Sequence, residues 1–277
     1  MYMNINSLKL RYINGQCYEF VLPNGKHIIT DPFITPQVLS GFRQFNIDEI
    51  ERCDYILLTH AHYDHTADIG TLCKKFGCKL LAGEMCIMSV AECFDIDLSQ
   101  LIPLSNLCPL ELPDFTVLPV RGKHYGTPGR LPRERFLNLS EEKFGIKGHS
   151  ACDIYGCVET YDFCITLSNN VRLMYVSGVD YFNNIYTVAA QFHPNILIRH
   201  TAGSGTGAMW AKVINRFQAQ VAFPSHHDNV YSGKWGKTMD EFSTEIQQEL
   251  DNLGSQTRFV NPIPYKWYNL TMGIEVE

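Results

Sequence analysis

The sequence predicts a layered α/β domain, on three observations. The first 35 residues read as a strand-rich meander, a strand-helix-strand-helix alternation begins at Asp54, and the C-terminal half repeats that style with further strands and helices. At 277 residues and 45% hydrophobic content the chain can bury a substantial core. No repeat, low-complexity segment or obvious linker divides it, so residues 1–277 read as one domain.

The elements run in order along the chain. SLKLRYI and QCYEFVL precede a turn at Pro23-Asn24-Gly25, and HIITDPFI comes after it, which is the pattern of hairpin-connected strands. From Asp54 come strand YILLT, a helix over 67–76, strand KLLAG and a helix around 84–93. Strands return at FTVLPVRG, CVETYDFCITL and RLMYVSG, then ILIRHT, a Gly-rich turn, helix MWAKVINRFQA and strand VAFPS. Near the end, Thr238 and Glu241 have capping-box spacing before Phe242, Ile246, Leu250 and Leu253, and Gly254 is placed to stop that helix. Residues 125–152 are rich in Gly, Pro and charge without periodicity and read as a long loop or lid, the kind of excursion in which specificity resides.

Composition excludes several classes. The N-terminus alternates polar and apolar residues without an apolar h-region, and no later stretch reaches the roughly 18 to 20 apolar residues of a membrane span. A soluble, cytoplasmic protein without a membrane partner is expected. The ten cysteines contain no C-x-x-C pair and read as reduced core residues. Without a secretory signal the sequons at Asn138 and Asn269 carry no weight. A net charge of −6 argues against a nucleic-acid partner, whose binding needs an electropositive surface. A homo-oligomer is compatible with the sequence.

Chemistry concentrates in Thr59–His65, T-H-A-H-Y-D-H, at the carboxyl end of an apolar strand. His60, His62, Asp64 and His65 place three imidazoles and a carboxylate within six residues, a density that is costly unless something binds it. Neutral imidazole and carboxylate suit divalent zinc, iron, manganese or nickel.

H-A-H-Y-D-H resembles the H-x-H-x-D-H signature of the metallo-β-lactamase superfamily, and further motifs fall in the family's order. Asp31 stands in IITDPFI, His124 in VRGKHYG, Asp180 in YVSGVDY, and His226 and His227 in VAFPSHHD. The resemblance implies a four-layer αββα sandwich with metals where the loops of two sheets meet. It implies a first divalent ion on His60, His62 and His124, a second on Asp64, His65 and a histidine of the FPSHH segment, and Asp180 bridging them. His226 matches the family's Pro-x-His; His227 would then stand behind the ligands or face substrate, and Asp31 would orient a ligand histidine. Asp64 and Asp180 would be the catalytic carboxylates. The nucleophile would be metal-bound hydroxide, with no serine or cysteine needed. Zinc or manganese is expected, with iron also compatible, because the donors are nitrogen and oxygen only. The subgroup it looks most like is the L-ascorbate-6-phosphate lactonases, on ITDPF, LTHAHYDH, SG-x-D and FPSHH. Two departures stand out: Val179 separates Gly178 from Asp180, and Gly15-Gln16 replaces the family's early Gly-His.

Other residues are weighed against ordinary roles. His27, His149, His193 and His200 lie outside these motifs, where a lone histidine is usually surface or satisfied core; His200, ending a strand, is the best placed of them to bind substrate. Arg121, Lys123, Arg130, Arg133 and Arg135 flank His124 with only Glu134 opposing them, and guanidinium suits phosphate, so they are candidates for an anionic substrate. Gly203-Ser204-Gly205-Thr206-Gly207 matches no nucleotide fingerprint and reads as a turn. The leading expectation is hydrolysis of a small anionic ester or lactone, such as a phosphorylated sugar lactone. The alternatives are a phosphodiesterase or nuclease on the same site and a non-catalytic metal-binding or sensor protein. A flavodiiron-type oxidoreductase is disfavoured, since the chain has no flavodoxin-like extension.

Overall fold

The computed structural model describes residues 8–36, 38–122, 124, 141, 148–178, 184–201, 205–231, 233 and 236–271. Two seven-stranded sheets face one another. The first contains β1 (Leu8–Asn14), β2 (Cys17–Val21), β3 (His27–Thr30), β4 (Tyr55–Leu57), β5 (Lys79–Gly83) and β6 (Leu101–Leu104) in sequence order. The second runs through β7 (Leu110–Glu111), β8 (Phe115–Gly122), β9 (Thr160–Leu167), β10 (Arg172–Val176), β11 (Ile196–His200), β12 (Val221–Ser225) and β13 (Arg258–Phe259), also in order. Strand β14 (Tyr268–Leu270) returns to pair antiparallel with β1.

Each sheet is half antiparallel and half parallel. Hairpin-linked β1, β2 and β3 are antiparallel, whereas β3 to β6 are parallel and need crossovers. In the second sheet β7 to β10 are antiparallel and β10 to β13 parallel. The described α-helices are α1 (Tyr63–Thr66), α2 (Ile69–Phe76), α3 (Ile87–Phe94), α4 (Ser150–Val158), α5 (Asn184–Phe192), α6 (Gly207–Asn215), α7 (Asp228–Tyr231) and α8 (Met239–Asn252).

Side-chain alternation sets the layers, because successive strand residues point to opposite faces. Leu57 belongs to the core between the sheets with Phe20, Phe163, Ile165 and Tyr175, while its neighbours Ile56 and Leu58 join Ile69, Leu72 and Val90 beneath α2 and α3. Likewise Cys164, between Phe163 and Ile165, packs with Trp210, Ile214, Phe242 and Ile246 beneath α6 and α8. The expected αββα order is therefore what the burial pattern builds. No described helix is long and apolar enough to cross a membrane.

Helix α8 obeys its sequence signals. Thr238 accepts from the Glu241 N–H and Glu241 from the Thr238 N–H, and Met239, Phe242, Ile246 and Leu250 form the buried stripe. Gly254 adopts φ +67° past its end, and Leu253, expected on the stripe, is exposed. One expectation is corrected: CVETYDFCITL does not begin as strand. Cys157 and Val158 end α4, and β9 starts at Thr160, because Cys152 and Tyr155 turn into the cluster that includes α3. The expected loop 125–152 lies largely outside the described residues, and its last residues already belong to α4. Helix α5, not expected from sequence, buries Ile185, Tyr186 and Ala189.

These features set a stability order that equilibrium denaturant unfolding can check. Phe163→Ala, which empties a fully buried site between the sheets, should cost about 3 to 5 kcal/mol. Thr238→Ala, which removes only a cap, should cost about 1 kcal/mol.

Candidate metal centre

The carboxyl ends of parallel strands from both sheets supply the site. Asp31 follows β3, His60 follows β4, His200 ends β11 and His226 follows β12. The parallel pairing Thr30↔Leu57 keeps the residues after β3 and β4 side by side.

Asp31 organises the histidines around it. Its Oδ1 accepts from the Thr59 N–H at 2.7 Å and its Oδ2 from the Thr59 hydroxyl at 2.7 Å. That hydroxyl has spent its only proton, so at 3.0 Å from His60 Nδ1 it must accept. His60 is thereby held as the Nδ1–H tautomer, and its buried Nε2 lone pair has no partner in the protein. Asp31 Oδ2 also stands 3.0 Å from His65 Nδ1, which leaves His65 Nε2 toward Asp64 Oδ1 at 3.7 Å. Asp31 is thus brought against two histidines of the cluster, His60 through Thr59 and His65 directly.

Two triads result. The candidate ligand atoms of His60, His62 and His124 lie within 4.8 Å of one another, and so do those of Asp64, His65 and His226. The triads touch: the His60 and His65 ring centroids are 3.8 Å apart. His226 Nε2 reaches Asp64 Oδ2 at 3.2 Å, and its Nδ1 is 2.9 Å from Asp228 Oδ1. His227 turns elsewhere, fully buried against the rings of Tyr12 at 4.3 Å and Tyr231 at 5.6 Å, with neither ring nitrogen bonded. The structure therefore brings His226 into the cluster and places His227 in aromatic packing, away from the role behind the ligands or toward substrate expected of it.

Electrostatics favour cation binding. Burial, reinforced by the neighbouring imidazoles, pushes His60 and His124 well below the ordinary histidine range, and burial pushes His62 down to about 4. These rings are neutral donors at pH 7. Burial opposes ionisation of Asp64, yet the His65 and His226 imidazoles outweigh it and hold the carboxyl well below its usual value. For His226, burial is outweighed by Asp228 and Asp64, which raise its pKa well above normal. The donor set is imidazole and carboxylate, and it carries an orphaned lone pair on His60; both fit a divalent transition metal.

Several supporting residues escaped the sequence reading. Gly156 of α4 lies against His62, and a Cβ there would fall 2.9 Å from the His62 backbone nitrogen and closer still to its ring. Cys157 Sγ stands 3.4 Å from His62 Nε2. Asp162, a charged residue in an apolar strand, accepts from the N–H groups of Ser177 and Gly178 at 2.8 and 2.9 Å and so fixes the backbone just after β10. The only sequence signal among these was the buried carboxylate in YDFCITL.

The outer candidates fare differently. His200 is brought in: its ring centroid is 5.1 Å from that of His226, and its buried Nδ1 lacks a partner. Arg121 is exposed and donates to the Val158 carbonyl at 3.0 Å, so its side chain is tied to the end of α4 and the anion-binding role expected of it is not carried by the geometry. Asp180, Lys123, Arg130, Arg133 and Arg135 lie outside the described residues.

The model of the metallo-beta-lactamase superfamily matches residues 13–166. Among curated proteins, the chain is 24% identical over 265 residues to a UPF0173 metal-dependent hydrolase of Thermodesulfovibrio yellowstonii, covering 89% of this chain and 87% of that protein. It is 36% identical over 63 residues to a Pyrococcus furiosus protein of the same description, a stretch of 23% of this chain and 27% of that one. In fold it resembles a metallo hydrolase of Ignicoccus hospitalis, with TM-score 0.66, 15% identity, and coverage of 96% of this chain and 100% of that one. It also resembles a possible metal-dependent hydrolase of Veillonella parvula, with TM-score 0.64, 12% identity, and coverage of 95% and 100%.

Replacing Gly156 by alanine should push the His62 ring out of the first triad. Elemental analysis should then find less bound metal in Gly156→Ala than in the parent, with the circular dichroism spectrum retained; undiminished metal would mean that His62 has room to shift.

Proposed function

This chain belongs to the metallo-beta-lactamase superfamily, and from that premise we propose that it is a two-metal hydrolase of small anionic esters or lactones. The observation that carries the reading is the contact of the two triads through His60 and His65, whose rings are 3.8 Å apart. Donor sets that close serve two ions acting on one substrate better than two independent sites. The UPF0173 relatives' description as metal-dependent hydrolases supports the same reading.

In this reading His60, His62 and His124 hold the first ion and Asp64, His65 and His226 the second. A bound ion pair supplies a nucleophile from water at neutral pH and polarises the scissile bond. The protein's own part is positional. Thr59, bonded to Asp31, fixes the tautomer of His60, so that ring presents Nε2. Asp64 would offset cationic charge on the second side, and Asp180 would be a further carboxylate donor to the ions. His200, beside His226 and with a buried unpaired nitrogen, is assigned to meet the substrate.

The substrate proposed is a phosphorylated sugar lactone, by the motif likeness to L-ascorbate-6-phosphate lactonases. Its phosphate falls to Lys123, Arg130, Arg133 and Arg135, close in sequence to His124.

Three outcomes are expected. Chelation should abolish hydrolysis, and zinc or manganese should restore it; activity indifferent to chelator would remove the metal from the mechanism. His62→Ala and Asp64→Ala should lose turnover while keeping the fold, and His226→Ala should lose bound metal that His227→Ala retains, as elemental analysis of the four proteins would record. In a substrate panel, Arg133→Ala or Arg135→Ala should raise KM for a phosphorylated lactone by about 10- to 150-fold, the range for a lost hydrogen bond to a charged group, while leaving its unphosphorylated analogue nearly unchanged. Equal effects on both would overturn the assigned phosphate contact, and turnover of phosphodiesters alone would overturn the lactonase reading.

A further inference from the structure

We propose that Cys93, His149 and Cys152 form a second kind of metal site, rich in thiolate and apart from the histidine-carboxylate centre, that takes a soft divalent cation such as zinc. Cys93 lies on α3, Cys152 on α4 and His149 at the N-cap of α4. Their candidate ligand atoms all fall within 4.8 Å of one another. Donors of a tetrahedral zinc stand roughly 3.3 to 3.8 Å apart, given Zn–S near 2.3 Å and Zn–N near 2.0 Å, so the cluster needs only a small contraction.

The surroundings suit a bound ion. His149 and Cys152 are fully buried while Cys93 is half-exposed, which leaves one side open for entry and for a solvent ligand. The Asp153 carboxylate sits 3.1 Å from His149 Nδ1, the carboxylate-histidine pairing that orients ligating imidazoles. Nε2 then remains for the metal. Its present neighbour, the Thr66 hydroxyl at 3.0 Å, has a second partner in the His62 carbonyl, also at 3.0 Å, to which its single proton can be given, so releasing His149 would not orphan it.

The chemistry differs from that of the main centre. Two thiols that give up their protons to a cation provide the soft donors that select zinc over manganese or magnesium. Among the described residues, other close thiols are a different case: Cys73 and Cys78, 3.8 Å apart with Cys53 also against Cys78, belong to no such mixed cluster, and Cys157 stands against the main-centre residue His62. An ion on Cys93 and Cys152 would tie α3 to α4, whose Gly156 backs His62, so the site would steady a wall of the main centre.

Cobalt substitution tests this, because thiolate-to-cobalt charge transfer absorbs in the near ultraviolet and the main centre is all nitrogen and oxygen. Full-length protein, reduced, stripped by chelator and reloaded with cobalt, should show that band. Cys157→Ser should keep it. Cys93→Ser/Cys152→Ser should lose it together with one equivalent of cobalt, and keep the cobalt of the main centre. No band in the parent, or a band and stoichiometry unchanged in the double variant, would overturn the proposal. Since a substitution at buried Cys152 can unfold the protein, the parent provides an independent readout. Zinc should slow alkylation of Cys93 but not of exposed Cys108, and labelling of Cys93 indifferent to zinc would equally overturn the proposal.

Discussion

The Asp31 carboxylate, at the end of β3 and closed to solvent, is the constraint on which the metal centre depends. A buried carboxylate without partners would cost several kcal/mol or lose its charge. Here the Thr59 backbone N–H, the Thr59 hydroxyl and His65 Nδ1 surround it at 2.7, 2.7 and 3.0 Å. Because the hydroxyl gives its proton to Asp31, it receives that of His60, so this carboxylate sets the tautomer of a histidine in the first triad and lies within ion-pair distance of one in the second. Ser177 adds a hydroxyl contact to Thr59 at 3.2 Å, which joins this hub to the second sheet.

The centre is expensive to build, and the sandwich carries that cost. Asp31 and His226 both adopt positive φ, at 40° and 53°, and such non-glycine backbone costs roughly 1 to 3 kcal/mol per residue. Neutral imidazoles are also packed ring to ring where water would otherwise hydrate them. Cross-sheet bonds hold the arrangement. The His226 N–H donates to the Gly15 carbonyl at 2.6 Å, Tyr18 donates its hydroxyl proton to the Pro224 carbonyl at 2.5 Å, and Tyr175 donates to the Gln16 carbonyl. All three pin the β1–β2 hairpin of the first sheet to the second. The turn in which this sequence has Gly15-Gln16 thus positions His226 through backbone carbonyls, without a histidine side chain of its own.

Helix α4 forms the wall behind His62, and it concentrates more chemistry than its length suggests. Cys152, Asp153, Gly156 and Cys157 all lie on it. Gly156 permits contact with His62, Cys157 stands against that ring, and Asp153 holds His149. Its C-terminal carbonyl at Val158 also captures Arg121, which turns a residue suited to anions into a structural tether.

The sequence by itself determined the features that local physics encodes. H-A-H-Y-D-H after an apolar strand brings three imidazoles and a carboxylate together because a strand end and a single helical turn fix their spacing. The capping box at Thr238 and Glu241 and the stripe of α8 depend on residues three or four apart. Layer order was implied by the family resemblance, and the structure shows its physical basis, since successive residues of YILL and DFCITL pack on opposite faces. Only the tertiary structure decided the features that depend on distant contacts. His226 and His227 are adjacent and chemically identical, and which of them faces Asp64 is set by a positive φ tied to Gly15, over two hundred residues away in sequence. Period-2 reasoning carried β9 back into α4 because no turn residue marks the boundary, and packing against α3 set it. The roles of Thr59 and Gly156 were hidden, because each acts through a distant residue that the fold supplies, Asp31 and His62, whereas Asp162 showed only as a charge in an apolar strand.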